Sequence, residues 1–464
     1  MTHLLLPEKD WARFEFGETE LSDSRRTKRL VKTAESLAKS PGGTLPGSFP
    51  DNSSLKGAYR FFANENATYE RIIQPHLERT RHECEEPGEY LVIEDTTLLD
   101  FTEHKGAKGL GPIGDGRGLG FLLHSSIAAR VERWKDGTEP EVTLVGLFDQ
   151  VCWAREDAAK KKGETKKQRL SRKRESQRWT RAFEKSGRAH EGVNWIYVAD
   201  RESDIYEVFL QCARYNVNFV VRASQERALE GDDRRIFGAV SEAPVSGRYQ
   251  KKLRRRGSVP ARTAQIEVRA MEVTLRAPWR PDVKHPPVTL TVIDAREVAA
   301  EGVKSPIHWV LLTSLPVESF EDARKAIEIY TKRWLIEEYH KALKTGTRLE
   351  ASQLSEASRI KALLSVQAIV ALRLLAMKFL ALARPEDKIN ADEMDDIFIK
   401  ILEKSYGKPK EGWTYRTYLV CVARMGGFLA RRGDGMPGWL TIWRGWQRMI
   451  MIYRGYLLAT EGAF

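Results

Sequence analysis

Six residues have the types and spacing for chemistry on phosphate or a hard cation. Two stretches that read as apolar strands, Tyr90–Ile93 and Trp195–Ala199, are each followed closely by an aspartate, Asp95 and Asp200. In an open α/β sheet, functional groups gather where strands end and loops begin, although such an aspartate also commonly caps the helix that follows. A third carboxylate, Glu337, lies in a segment with helical patterning, together with Tyr330, Arg333 and Lys344. At about 100° per residue, these four fall within about 60° of one another on one helical face. A carboxylate between an arginine and a lysine, with a tyrosine one turn earlier, is either a phosphate-handling face or a surface ion-pair ladder. Spacing alone leaves both open.

The elements that must position these residues can be read along the chain. At 464 residues, a prior of about 150 residues per domain gives about three domains. Hydrophobic residues make up 42% and charged residues 30%, which is ordinary globular usage and excludes a disordered or fibrous chain. The 76 basic residues exceed the 64 acidic ones by twelve, which points to a polyanionic partner, nucleic acid before membrane. Cys84, Cys152, Cys212 and Cys421 lie far apart, with no spacing for a zinc site, redox pair or disulfide framework. The first residues turn polar too soon for a signal peptide. The most apolar stretch, 362–383, is interrupted by Arg373 and Lys378 and reads as a buried helix, not a membrane span. A cytoplasmic protein with no membrane partner is expected.

Ser22-Asp23-Ser24 offers a cap for a helix over 25–39 whose apolar face is Leu30, Val31, Ala34, Leu37 and Ala38. Its other face carries Arg25, Arg26, Lys28, Arg29 and Lys32, a one-signed patch that fits phosphate contact better than salt-bridge lacing. A link rich in Pro, Gly and Ser (40–54) precedes the basic and aromatic segment Lys56 to Phe62. Strands are expected near 90–99, 121–127, 142–148, 195–199, 218–222 and 308–312. A helix is expected over 205–213, and mainly helix from 320 onward. Seven glycines between Gly106 and Gly120 mark a loop without the Gly-Lys-Ser/Thr ending of a phosphate-binding loop. Between 224 and 306 the pattern changes to alternating strands, which reads as a β insertion. Lys160 to Arg174 holds nine basic residues and one Glu, a charged loop or helix.

The segment Tyr330-Thr-Lys-Arg333-Trp334-Leu-Ile-Glu337-Glu338-Tyr-His-Lys341-Ala-Leu-Lys344-Thr-Gly resembles the Tyr-Arg-Glu-Lys signature of cut-and-paste insertion-sequence transposases of the Asp-Asp-Glu class. Glu94-Asp95-Thr96-Thr97 and Asp200-Arg201-Glu202-Ser203-Asp204 resemble that family's first and second aspartate blocks. Segments 219–222, 309–314, 23–30, 57–61 and 438–446 are similar too, so the resemblance covers nearly the whole chain and is least at 160–174. It implies an α/β fold with a ribonuclease H-like core interrupted by a β insertion, an N-terminal helical DNA-binding domain and a C-terminal helical domain. The expected division is 1–68 for binding DNA ends, 69–360 for catalysis with the insertion at about 225–306, and 361–464 for a C-terminal helical domain that would carry dimerisation.

The activity implied is metal-dependent cleavage of transposon ends through hairpins, followed by strand transfer into target DNA. Asp95, Asp200 and Glu337 would hold two divalent cations roughly 4 Å apart, with Mg²⁺ favoured by oxygen-only ligands and Mn²⁺ a substitute. Arg333 and Lys344 would clamp phosphates, the first by a fork and the second as a point charge, with Tyr330 hydrogen-bonding a phosphate beside them. Trp309 would stack on a flipped base. Arg222 and Lys341 would touch phosphates, and Arg26, Arg29, Lys39 and Arg60 the terminal repeats. The partners implied are double-stranded DNA and a second copy of the chain in the synaptic complex, with contact from the helix around Met449–Ala459, and no small-molecule cofactor. Two other readings stand beside this one: a ribonuclease H-fold nuclease that cuts without joining, and a catalytically silent DNA-binding regulator.

Overall fold

The computed structural model describes residues 2–155, 178–179, 181–253, 260–281, 283–298, 302–303, 305–390, 394, 396–431 and 433–461. The basic segment 160–174 lies outside them.

Five strands make the centre of the sheet. They are β1 (Gly88–Asp100), β3 (Gly118–Lys135), β4 (Glu139–Trp153), β5 (Val193–Ala199) and β6 (Asn218–Arg222), and they lie side by side in the order β4-β3-β1-β5-β6. β3 is antiparallel to both β1 and β4, whereas β1, β5 and β6 run parallel. Three antiparallel strands continued by two parallel ones form the ribonuclease H-like arrangement expected from the sequence. A short β2 (Gly111–Ile113) from the glycine-rich segment pairs with the start of β3.

The β insertion does not form a separate layer. Its strands are β7 (Ala228–Leu229), β8 (Asp232–Arg235), β9 (Val245–Leu253), β10 (Arg262–Leu275) and β11 (Val288–Val298), with a short helix at Ile236–Glu242. β11 pairs with β12 (His308–Thr313), and β12 pairs antiparallel with β6. One sheet of 12 strands results among the described residues.

The central strands are apolar on both sides because helices cover both faces. On β1, Leu91 and Ile93 pack into one buried cluster while Tyr90 and Val92 pack into the other; Ile196 and Val198 alternate with Trp195 and Tyr197 in the same way on β5. The first cluster holds the N-terminal helices, among them Ser24–Lys39 and Asn52–Phe62, and the long helix Ala357–Ala383. The second holds the helix Tyr206–Arg214. The helix caps follow the sequence signals: Asp23 accepts from the Arg25 amide, and Ser319 and Asp322 form a reciprocal capping box at the start of Phe320–Thr331.

Helix Ala357–Ala383 is long and apolar enough to cross a membrane by length and composition, yet it is buried inside the fold. Two of its cations are satisfied inside the fold: Arg373 donates to the Leu4 carbonyl (3.0 Å), and Lys378 to Glu338 (2.6 Å). Cys84, Cys152 and Cys212 are buried free thiols. Because Leu364 is fully buried on this central helix, Leu364→Ala is expected to lower the unfolding free energy by about 2–5 kcal/mol. Urea denaturation measures this, and a loss below about 1 kcal/mol would mean that the helix is not a core element.

Candidate active site

The parallel register of β1 and β5 pairs Ile93 with Val198; two residues further on, the same register sets Asp95 beside Asp200. Asp95 is half-buried and accepts from the Thr96 amide (2.7 Å). Asp200 stands at the end of β5 and caps the short turn Arg201–Ser203, accepting from the Glu202 amide (2.9 Å). The capping role and the strand-end role therefore coincide in one residue.

The third carboxylate arrives from far along the chain. The face expected on one continuous helix is carried by three consecutive pieces. Phe320–Thr331 ends at Tyr330 and Thr331, a turn at Lys332–Arg333 follows, and a second helix runs Trp334–Lys341. A wider π turn, Ala342–Gly346, then carries Lys344. Lys332 and Arg333 keep right-handed backbone angles, so the face persists through the turn. The Arg333 guanidinium lies 3.5 Å from Asp95 Oδ2 and also binds Glu337. Arg333 thus bridges the first and third carboxylates.

The electrostatics register all three acids in one place. Burial, and after it the charge of Asp200, push the Asp95 carboxyl up to about 6, with Glu337 adding to the rise; the Thr96 amide and Arg333 pull the other way. Tyr330 is buried, and burial raises its phenol against the pull of Arg333 and Arg222. Its ring meets Trp309 edge to face, with centroids 5.6 Å apart. Arg222 ends β6 and donates to the His308 carbonyl (3.0 Å). Around Asp95 and Asp200 the structure therefore brings together Glu337, Arg333, Tyr330, Arg222 and Trp309.

Other sequence candidates lie apart from this group. Lys344 is 3.6 Å from Glu350, and Lys341 is exposed beside Glu338. In the N-terminal helices, Arg26 donates to the Leu21 carbonyl (2.9 Å) and Lys39 to Glu35 (2.7 Å). Arg29 lies over Gly57, where any Cβ would meet its guanidinium at 2.6 Å. Arg60 is exposed, with no hydrogen-bond partner among the described residues.

A buried polar group that sequence reasoning missed holds the Glu337 helix to the sheet. Ser125 is the cross-strand partner of Asp95. Its hydroxyl meets His340 Nε2 (3.3 Å) and accepts from Gln150 (2.9 Å), which also donates to the Tyr339 hydroxyl (2.7 Å). Tyr339 and His340 follow Glu337 by two and three residues on its helix, and burial takes His340 down to about 3, so it is neutral. The available signal was the run His124-Ser125-Ser126 inside an otherwise apolar strand.

By donor type the three carboxylates suit a hard divalent cation, and the mutual repulsion seen at Asp95 is the kind such an ion relieves. Among the described residues, no three acidic, histidine or cysteine side chains close around an ion position. Arg333 takes the place of a cation between Asp95 and Glu337.

Residues 181–373 match the family described as a transposase DDE domain, and residues 8–67 match the transposase DNA-binding family. These matches give the chain a transposase DNA-binding domain and a DDE transposase domain. The DDE match takes in Asp200 and Glu337 but starts beyond Asp95, so the place of Asp95 rests on its register beside Asp200. Among solved structures, the chain is similar to a chain of the cryo-EM structure of the piggyBac transposase synaptic complex with hairpin DNA, at 10% identity and a TM-score of 0.33. The similarity covers 74% of this chain and 57% of that one.

The raised carboxyl has a consequence for stability. Between about pH 4 and pH 6, folded Asp95 keeps a proton that the unfolded chain has released, so stability from this group falls as pH rises through that window. From 3.8 to about 6 corresponds to about 3 kcal/mol. In metal-free buffer, Asp95→Asn is expected to raise the unfolding free energy by about 1–3 kcal/mol at pH 8, with the gain vanishing toward pH 4. Denaturant titrations at the two pH values check this; no gain at pH 8 would contradict the repulsion.

Proposed function

We propose that this transposase cleaves the ends of a mobile DNA element through hairpin intermediates and joins them to target DNA. The observation that carries the reading is the convergence of Asp95, Asp200 and Glu337, from distant parts of the chain, beside a guanidinium. Divalent metal, Mg²⁺ with Mn²⁺ as substitute, would supply an activated oxygen nucleophile and stabilise the leaving oxygen. The three carboxylates would hold it. Arg333 would exchange its carboxylate partners for a backbone phosphate, which its planar fork fits in two-point fashion. Tyr330, Arg222, Lys341 and Lys344 would contact phosphates along the same strand, completing a Tyr-Arg-Glu-Lys signature. Trp309, half-buried against Tyr330, would offer its ring to a base extruded during hairpin formation.

The proposed division of labour gives residues 1–68 to binding the DNA end, 69–360 to catalysis and 361–464 to helical support and dimerisation. Arg60, with Arg29, Arg26 and Lys39, would contact the terminal repeats. Two copies of the chain would synapse two ends within the bacterial cytoplasm, on the nucleoid. Exposed Met451, Ile452 and Tyr456 on the helix Trp439–Glu461 support a contact between copies.

The test is incubation of the protein with a labelled fragment carrying the DNA that flanks its own gene, with Mg²⁺, Mn²⁺ or EDTA. Metal-dependent product running as a hairpin, with joined products when target DNA is added, is expected. Glu337→Gln should lower cleavage on the order of 10³-fold or more while DNA binding persists. Unchanged cleavage by that variant would refute the site; hairpins without joining would leave a nuclease. Separately, Arg60→Ala is expected to weaken end binding and to flatten the slope of log affinity against log salt by about 1, measured by fluorescence anisotropy.

A further inference from the structure

Alternation along β1 turns Glu94 and Thr96 to the face of the sheet opposite Asp95, and a continuous polar chain runs along that face. Arg178 Nε donates to the Thr96 hydroxyl (3.1 Å). That hydroxyl meets His124 Nδ1 (3.0 Å), and His124 Nε2 meets Glu94 Oε2 (3.2 Å). Ser126 donates to the other oxygen of Glu94. Each donor has one direction in which every group is satisfied: Arg178 to Thr96, Thr96 to His124, His124 to Glu94. Glu94, His124 and Ser126 are buried, so water does not substitute for a missing link.

The outer end of the chain reaches the second aspartate. Arg178 Nη2 donates to Glu202 (3.0 Å), and the guanidinium lies over the rings of Trp153 and Trp179, 5.8 and 5.3 Å from their centroids. Trp179 in turn meets His124 edge to face. Thr96 and Glu202 are the two residues whose own backbone amides donate to Asp95 and Asp200. One guanidinium therefore grips, through side chains, the two residues that hold the two aspartates through the main chain.

We propose that Arg178 is a positioning residue that, through Thr96 and Glu202 and backed by His124 and Glu94, sets the separation and orientation of Asp95 and Asp200. This rests on the reading of those aspartates as catalytic. The Thr96 hydroxyl is the essential joint, because it accepts from Arg178 and donates to His124. Valine has the same shape without the hydroxyl, and serine keeps the hydroxyl without the methyl.

The test compares Thr96→Val, Thr96→Ser and Arg178→Gln with the wild-type chain in single-turnover cleavage of end DNA, alongside end-DNA affinity and thermal midpoint. Thr96→Val and Arg178→Gln are expected to cleave about 10- to 100-fold more slowly at saturating DNA, with affinity within about twofold of wild type. Thr96→Ser is expected to stay within about threefold of the wild-type rate. Wild-type cleavage by Thr96→Val, or equal loss in the serine and valine variants, would overturn the proposal. Should Thr96→Val fail to fold, Arg178→Gln, altered at the outer end of the chain, decides alone: an unchanged rate refutes the clamp. Asp95→Asn is run in parallel; if it still cleaves, the catalytic reading fails, a result distinct from failure of the clamp.

Discussion

Holding negative charges together is the constraint on which the rest of this structure depends. Asp95, Asp200 and Glu337 repel one another in a half-buried place, and the rise of the Asp95 carboxyl to about 6 records the cost. A folded chain left to relax would separate them. Here the separation is opposed by Arg333, which bonds two of the three, and by backbone that cannot move easily. The parallel pairing of β1 with β5 fixes the first two acids side by side, Asp95 within β1 and Asp200 at the end of β5. The Ser125–Gln150–Tyr339–His340 group fixes the helix that bears the third. A site strained by like charge and held by its surroundings is organised for a ligand of opposite charge.

The two faces of the central sheet divide the labour. On the face of Asp95, buried hydrogen bonds attach the Glu337 helix. On the opposite face, the Arg178 chain attaches β1 at Thr96 to the turn after β5. Both use polar residues in strands that are otherwise apolar, where each unsatisfied group would be costly. β12, to which the insertion is joined through β11, pairs with β6 and carries Trp309 to the ring of Tyr330.

Much of this was legible in the sequence. Asp95 and Asp200 stood out because apolar runs ended beside them, and the parallel strands read as continuous apolar segments for the reason that both faces are covered. The Tyr330-to-Lys344 face was legible because the turn at Lys332–Arg333 keeps helical angles. The turn itself and the π turn were not, since nothing in Lys-Arg-Trp or Ala-Leu-Lys marks a break. The strands of the insertion were legible from alternation. Their attachment to β6 was not, because register there is set by partners almost a hundred residues away. The charge pattern could not separate Arg26 and Lys39, which bond within the chain, from exposed Arg60. The Arg178 clamp was beyond reach, as its partners lie 82 and 24 residues off.

The central claim is that three carboxylates form one cation-binding site. Binding of Mn²⁺ to the DNA-free protein, followed by electron paramagnetic resonance or calorimetry, tests it without relying on activity. The account predicts that Asp95→Asn, Asp200→Asn and Glu337→Gln each weaken Mn²⁺ binding about tenfold or more. Binding unchanged in the Glu337→Gln variant would contradict it, because the third carboxylate would then belong to Arg333 alone.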